Sequence, residues 1–148
     1  MNDSMVFKEE VIFQASPEQV WGLLTNPAMT KQYMFGCEVI SSWNIGSPIH
    51  WKGVTEDGKE VVYVKGTILE YEENKRITFS MFDPNMGIAD IPTNYVNMTY
   101  SVISNGLGTA LTITQGDFAG ADNAEQRFEE SKKGWEMVIP LMRKVLEG

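Results

Sequence analysis

Cysteine and histidine are almost missing from this chain, which holds one of each, Cys37 and His50. One thiol closes no internal disulfide, and one His with one Cys, lacking C-x-x-C spacing, does not furnish a typical zinc site, so no metal and no cofactor is expected. A serine–histidine–acid triad would have to use His50, yet no G-x-S-x-G elbow accompanies it. Alternation through Ile49, His50 and Trp51 turns the imidazole away from the apolar face and toward solvent. The glycines fall in turns and not in the G-x-x-x-x-G-K-S/T order of a phosphate loop. No catalytic residue is assigned.

Positive charge is scarce as well. Lys and Arg number 12 against 20 Asp and Glu, a formal net charge of −8, and no basic cluster interrupts that balance. Nucleic-acid affinity rests on neutralising phosphates with basic side chains, and attraction to anionic membranes needs the same groups, so neither partner is expected. Long apolar runs are absent: Met1 to Gln14 carries Lys8, Glu9 and Glu10 within its apolar pattern, so neither a signal peptide nor a membrane span is read there. With the lone Cys37, this points to a reducing cytoplasm. Cys37 itself has no basic neighbour in sequence to activate it and reads as a small buried hydrophobe.

What is present is ordinary globular material, 148 residues with 43% hydrophobic and 22% charged. That length suits one domain, residues 1–148, with one core. Met5 to Gln14 reads as a strand with Phe7, Val11 and Phe13 on one face; Glu9 interrupts that face, as a cavity carboxylate or as a residue at an open sheet edge, the second being favoured. Ser16-Pro17-Glu18-Gln19 joins an N-cap serine, a proline at the first helical position and a glutamine that closes a capping box. Asn26-Pro27 repeats the grammar for a second short helix through about Tyr33. From Cys37 to Gln115 the text is a meander. Strands are expected over Glu38 to Ser42, Ser47 to Val54, Glu60 to Tyr71, Arg76 to Phe82, about Val96 to Val102, and about Leu107 to Gln115, with a type I′ turn at Asp57-Gly58. Asp122 and Glu125 have capping-box spacing, and Phe128, Trp135, Val138, Met142 and Val145 mark a long amphipathic terminal helix. Pro140 inside it predicts a kink between Glu136 and Pro140 that bends the helix around the end of an enclosed cavity, with local packing as the alternative reading.

The stretches ASPEQVWGLLTNPAMTKQYM, IGSPIHWKG, VKGTILEYEENKRITFSM, LTITQGDF and GWEMVIPLMRKVL, in this order, resemble the SRPBCC superfamily with its helix-grip (START-like) fold. Within it the chain is most similar to the proteins named for the C-terminal domain of the heat-shock protein 90 ATPase activator. The resemblance covers nearly the whole chain. It implies an α+β fold: a curved antiparallel sheet of about six to seven strands around a long C-terminal helix, with two short helices after the first strand. Pro140 departs from the family pattern.

Such a fold implies a cavity between sheet and helix. Alternation then nominates its lining: Trp51 from one strand; Val64, Gly66 and Ile68 from the next; Phe79, Met81, Met98, Tyr100 and Ile113 from the last three, with Ile49 and Leu111 beside them. Trp135, Val138 and Met142 face them from the helix, and Gly134 is read as a point of close approach to the sheet. Any sheet packed on a helix needs such residues as core, so each also has a purely structural reading. Tyr63, Tyr95, Tyr100 and Gln115 are the polar groups available to orient a ligand, or to bond backbone groups. The resemblance implies three functional classes: a non-enzymatic binder of a small apolar or amphipathic ligand; a protein-interaction or co-chaperone-like module, with a protein partner or a homodimer; and, last, a polyketide cyclase- or dehydratase-like enzyme, for which the acid–base pair is missing.

Overall fold

The computed structural model describes residues 5–106 and 108–147. One seven-stranded antiparallel sheet carries the fold, in the order β1-β7-β6-β5-β4-β3-β2. Along the chain these are β1 (Phe7–Phe13), β2 (Glu38–Ser41), β3 (Pro48–Val54), β4 (Glu60–Glu72), β5 (Arg76–Met81), β6 (Val96–Asn105) and β7 (Gly108–Gln115). Helices α1 (Pro17–Thr25) and α2 (Pro27–Tyr33) follow β1, and α3 (Ala124–Glu147) ends the chain. The architecture is the α+β helix-grip arrangement that the sequence predicts. Leu107, where the last strand was expected to begin, and Gly148 lie outside the described residues.

Both short helices start as their sequences dictate. The Ser16 side chain accepts from the Gln19 backbone N–H while the Gln19 side chain accepts from that of Ser16, and Pro17 occupies the first turn, where its missing N–H costs nothing. Asn26 caps α2 by accepting from Ala28 N–H. Val20, Leu23 and Leu24 of α1 are buried against the sheet. α3 begins differently from the expectation: the Asp122 carboxylate is taken by the Asn94 side chain at 3.1 Å instead of closing a capping box, and Asn123 enters the helix at φ 55°. The β3–β4 turn also differs. Only Gly58 takes a positive φ, 82°, while Asp57 does not, so the loop is a three-residue turn with glycine at the left-handed position and not a type I′ pair.

The sheet is bent into a grip at two places on β4. Gly66 lies where β4 leaves β3 and turns toward β5; a Cβ on Gly66 would stand 1.6 Å from the Ser80 carbonyl oxygen. Between Trp51 and Lys52 the β3–β4 register slips, because Trp51 pairs with Val64 and Lys52 with Val62, leaving Tyr63 as an extra residue. A bulge of this kind locally increases twist and curvature.

α3 is held across the concave face by its two ends. Near its start, Arg127 donates to the Asn94 carbonyl at 2.9 Å. Near its finish, Arg143 donates to the Ile12 carbonyl at 2.7 Å and Glu147 accepts from the Gln14 backbone N–H at 2.8 Å. The helix is continuous through Pro140, which lies exposed on the outer face together with Glu136. The carbonyl of Glu136, deprived of its helical donor, therefore faces water, which explains how the proline is tolerated; the structure places Pro140 beside an outer groove with Ile139 and Arg143, not at the end of the inner cavity.

Two stability measurements check this account. Gly66→Ala forces Cβ into the Ser80 backbone and is expected to lose about 3 kcal/mol or more in urea unfolding, at or beyond the upper range for overpacking. Pro140→Ala restores one helical hydrogen bond at an exposed site. It is expected to gain about 1–2 kcal/mol, the helix-propensity benefit less the unfolded-state rigidity that proline supplied.

Candidate functional site

Held at its ends, α3 leaves a cavity of about 470 Å³ between its middle and the inner face of the sheet. That lies within the ~300–1,000 Å³ typical of pockets for small molecules. Its floor is a file of rings in contact: Trp51 and Phe79 with centroids 5.0 Å apart, Phe79 and Tyr100 at 5.8 Å, and Tyr100 edge-on to Trp135 at 6.3 Å. Met81, Met98 and Val64 complete the sheet side, with Ser131, Gly134, Trp135 and Val138 above. Those four helical residues recur at i, i+3, i+4 and i+7, one face of α3.

Of the residues expected at the cavity, Trp51, Val64, Phe79, Met81, Met98, Tyr100, Trp135 and Val138 are brought together there. Ile68, Ile113 and Met142 are not; they are fully buried in the core beside it. Alternation gives the face of a strand but not how far along it a void extends, and α1 packs against β6, β7 and α3 at the closed end. Ile49 and Leu111 belong to the same solid core, and Gly66 is pressed against the Ser80 backbone. Gly134 also departs from the expectation. A Cβ there would meet nothing within 4 Å, so the glycine marks empty space and not close approach to the sheet.

Four lining residues were missed from the sequence: Met34, Phe35 and Cys37 in the α2–β2 loop, and Ser131. Ser131 was legible from its four-residue spacing to Trp135. Phe35 carried no periodic signal. It sits at the mouth, 63% exposed, with φ 53°, a conformation that is unusual for a bulky side chain. Tyr63 shares the mouth because its bulge turns both Tyr63 and Val64 inward, and its ring occupies the space that a Cβ on Gly53 would need, 2.9 Å from Cε2. Glu9 is exposed on the edge strand β1, and Tyr95 lies elsewhere, stacked on Phe82 and donating to Asp90 at 2.7 Å. His50 is half-buried on the opposite sheet face.

Among the described residues, no charged side chain lines the cavity. Its polar atoms are few and organised. The Trp135 indole N–H, which can only donate, meets Gln115 Oε1 at 3.0 Å; this fixes the carboxamide so that Nε2 turns to the Met81 sulfur at 3.4 Å. Burial raises the Cys37 thiol and the Tyr100 phenol above their ordinary values, and raises Tyr33 further with help from Tyr100. Tyr33 donates its proton to the Leu23 carbonyl at 2.7 Å. A smaller chamber of about 200 Å³ adjoins at Val64, Met81, Gln115 and Ser131. Arg127 lines it, held below its ordinary value by burial but opposed by the charges of Asp83 and Asp122. Among the described residues no group of three or more His, Cys, Asp or Glu side chains is placed to hold a metal ion, and no helix is long and apolar enough to cross a membrane.

Residues 14–147 match the family described as Activator of Hsp90 ATPase homolog 1-like protein. The chain belongs to this family. A Cytophaga hutchinsonii protein of known solution structure is 32% identical, with a TM-score of 0.78 over 99% of this chain and 97% of that one. A Mesorhizobium loti protein shares the fold at 17% identity and TM-score 0.74, covering 96% of each chain. A protein of the dynemicin biosynthetic locus does so at 16% identity and TM-score 0.73, over 99% of this chain but 48% of that one. No curated protein matches the chain.

Gly134→Ala tests whether the glycine guards space. With no atom for the new methyl to strike, thermal or urea unfolding is expected to show a gain of about 1 kcal/mol, the helix-propensity difference; a loss would mean that the helix packs closely there.

Proposed function

We propose that this protein binds a small apolar or amphipathic molecule, without converting it, in the cavity between the sheet and α3. Gly134 carries the reading. A glycine in mid-helix weakens the helix by about 1 kcal/mol relative to alanine, and a close contact that demanded it would be sufficient cause. Here the space is empty, so the residue lowers stability and enlarges a void. Trading stability for an open site is the pattern of positions kept for binding. The methionines on the wall, Met34, Met81 and Met98, suit irregular apolar shapes, because the thioether chain is flexible and polarisable.

Conversion of a ligand would call for a general acid or base poised near neutral pH. The cavity offers a thiol and phenols, and burial pushes Cys37 and Tyr100 further from ionising. The family description names an activator of the Hsp90 ATPase, and fold likeness alone does not transfer that role. The buried lone thiol of Cys37 suits a reducing cytoplasm.

A neutral cavity probe, 1-aminoanthracene, is expected to bind saturably at one per chain, with a rise in Tm as for any ligand of the native state. Gly134→Leu should fill the space and abolish that binding while the fold persists. Trp51→Ala should weaken binding more than it lowers the unfolding free energy. No saturable binding across a broad apolar library would overturn the proposal.

A further inference from the structure

Of the described hydroxyl side chains that line the cavity, those of Tyr63, Tyr100 and Ser131, only Tyr100 is buried, and the protein leaves it without a partner. Tyr100 is only 3% exposed, and among the described residues its hydroxyl makes no hydrogen bond. Among the described residues no side-chain nitrogen or oxygen sealed off from water-sized space lacks a partner, so this hydroxyl borders the cavity that its ring lines. The other fully buried phenol, Tyr33, is engaged with the Leu23 carbonyl at 2.7 Å and does not line the cavity. Burial keeps Tyr100 protonated, hence a donor.

A second donor stands beside it. Tyr100 pairs with Ile113 across β6 and β7, and Gln115 follows two residues on, so Tyr100 and Gln115 are diagonal neighbours on the inner face, roughly 7–8 Å apart by sheet geometry. Gln115 is 4% exposed, its oxygen is consumed by Trp135, and its NH₂ meets nothing stronger than the Met81 thioether. Sulfur is a weak acceptor, so the carboxamide retains donor capacity toward the cavity. Two buried donors therefore face one space, where the other oxygens among the described lining side chains are the less buried hydroxyls of Ser131 and Tyr63, neither of them bonded to these donors.

We infer that Tyr100 and Gln115 select an uncharged, ring-bearing ligand with a hydrogen-bond acceptor oxygen, such as a carbonyl, seated against them while its rings lie along Trp51 and Phe79. This rests on the ligand-binding reading and narrows it. The acceptor must be uncharged because no cation lines the cavity, and a carboxylate brought there would be desolvated without a partner. Arg127 lines the adjoining chamber and not this cavity, and it donates to the Asn94 carbonyl at 2.9 Å. A purely hydrocarbon ligand would fit the rings but leave both donors unpaired, which costs more than burying them in a hydrogen bond.

Three naphthalenes of similar shape test this by displacement of 1-aminoanthracene: 2-acetonaphthone, 2-ethylnaphthalene and 2-naphthoate. Tyr100→Phe removes only the hydroxyl, which has no protein partner, so the fold is expected to keep its Tm. The variant should bind the ketone about threefold to tenfold more weakly, the worth of one neutral hydrogen bond. It should bind the hydrocarbon as the wild type does. The carbonyl stretch of bound ketone should lie at a hydrogen-bonded frequency in the wild type and move toward its apolar-solvent position in the variant. If ketone and hydrocarbon both bind but the variant treats them alike and the band does not move, the cavity stands and this assignment falls. Tighter binding of naphthoate than of the ketone also overturns it. If none of the three displaces the probe from the wild type, this inference falls; if the probe itself shows no saturable binding, the ligand-binding reading falls with it.

Discussion

The fold depends on the hydrogen bond from the Trp135 indole to Gln115. Interiors normally close on themselves, because a gap forfeits dispersion contacts on its walls. Something must therefore hold α3 off the sheet over its middle turns. Trp135 is the strut: its ring stacks on Phe7 at 6.2 Å, meets Tyr100 edge-on, and is fixed in azimuth by Gln115 at 3.0 Å. A large rigid ring keeps the backbones apart where it stands, and the residues flanking it, Ser131 and Gly134, are too small to fill what remains. The end ties of α3, through Arg127 and Arg143, then prevent the helix from rocking inward about that support.

The sheet supplies the other half of the space by curving. β4 is long enough to serve both halves of the grip, and it changes partner from β3 to β5 across Gly66, where only a missing side chain allows Ser80 to approach. The bulge at Tyr63 adds a second bend three residues earlier and has a chemical consequence as well as a geometric one. In a regular strand Tyr63 would face outward opposite Val64; the extra residue lets both reach the cavity, and Tyr63 becomes part of its mouth. Curvature and lining are thus one event.

These features explain what was legible beforehand. Order, type and approximate limits of the elements follow from capping residues, Asp/Asn-Gly turns and alternation, all of which are local, and the structure reproduces them. The inward faces were equally readable, since Trp51, Phe79, Met98 and Trp135 declare themselves by period. The limits of the void were not. Ile68, Ile113 and Met142 obey the same periodicity yet are packed solid, because the closing of that end depends on how α1 seats against β6 and β7, a tertiary fact with no period. Bulges evade alternation by definition, so Tyr63 was nominated only for its hydroxyl. The α3 start was misread for a related reason: Asp122 has a long-range claimant in Asn94 that outweighs the local capping box.

The terminal helix holds two residues that each weaken it, and their placement separates tolerance from use. Pro140 points outward with Glu136, so the orphaned carbonyl is hydrated and the proline shapes nothing inside. Gly134 points inward at a void. If both were simply tolerated defects, there would be no reason for the inward one to open onto the same cavity that the unpaired Tyr100 hydroxyl lines. An apolar core can shed a methyl group without placing an unsatisfied donor beside the hole, and a buried hydroxyl can find a backbone acceptor, as Tyr33 does. The hole and the idle donor occur together, and each alone would cost stability. A bound molecule that filled the first and paired with the second would remove both penalties at once, which is the physical argument for the proposed binding.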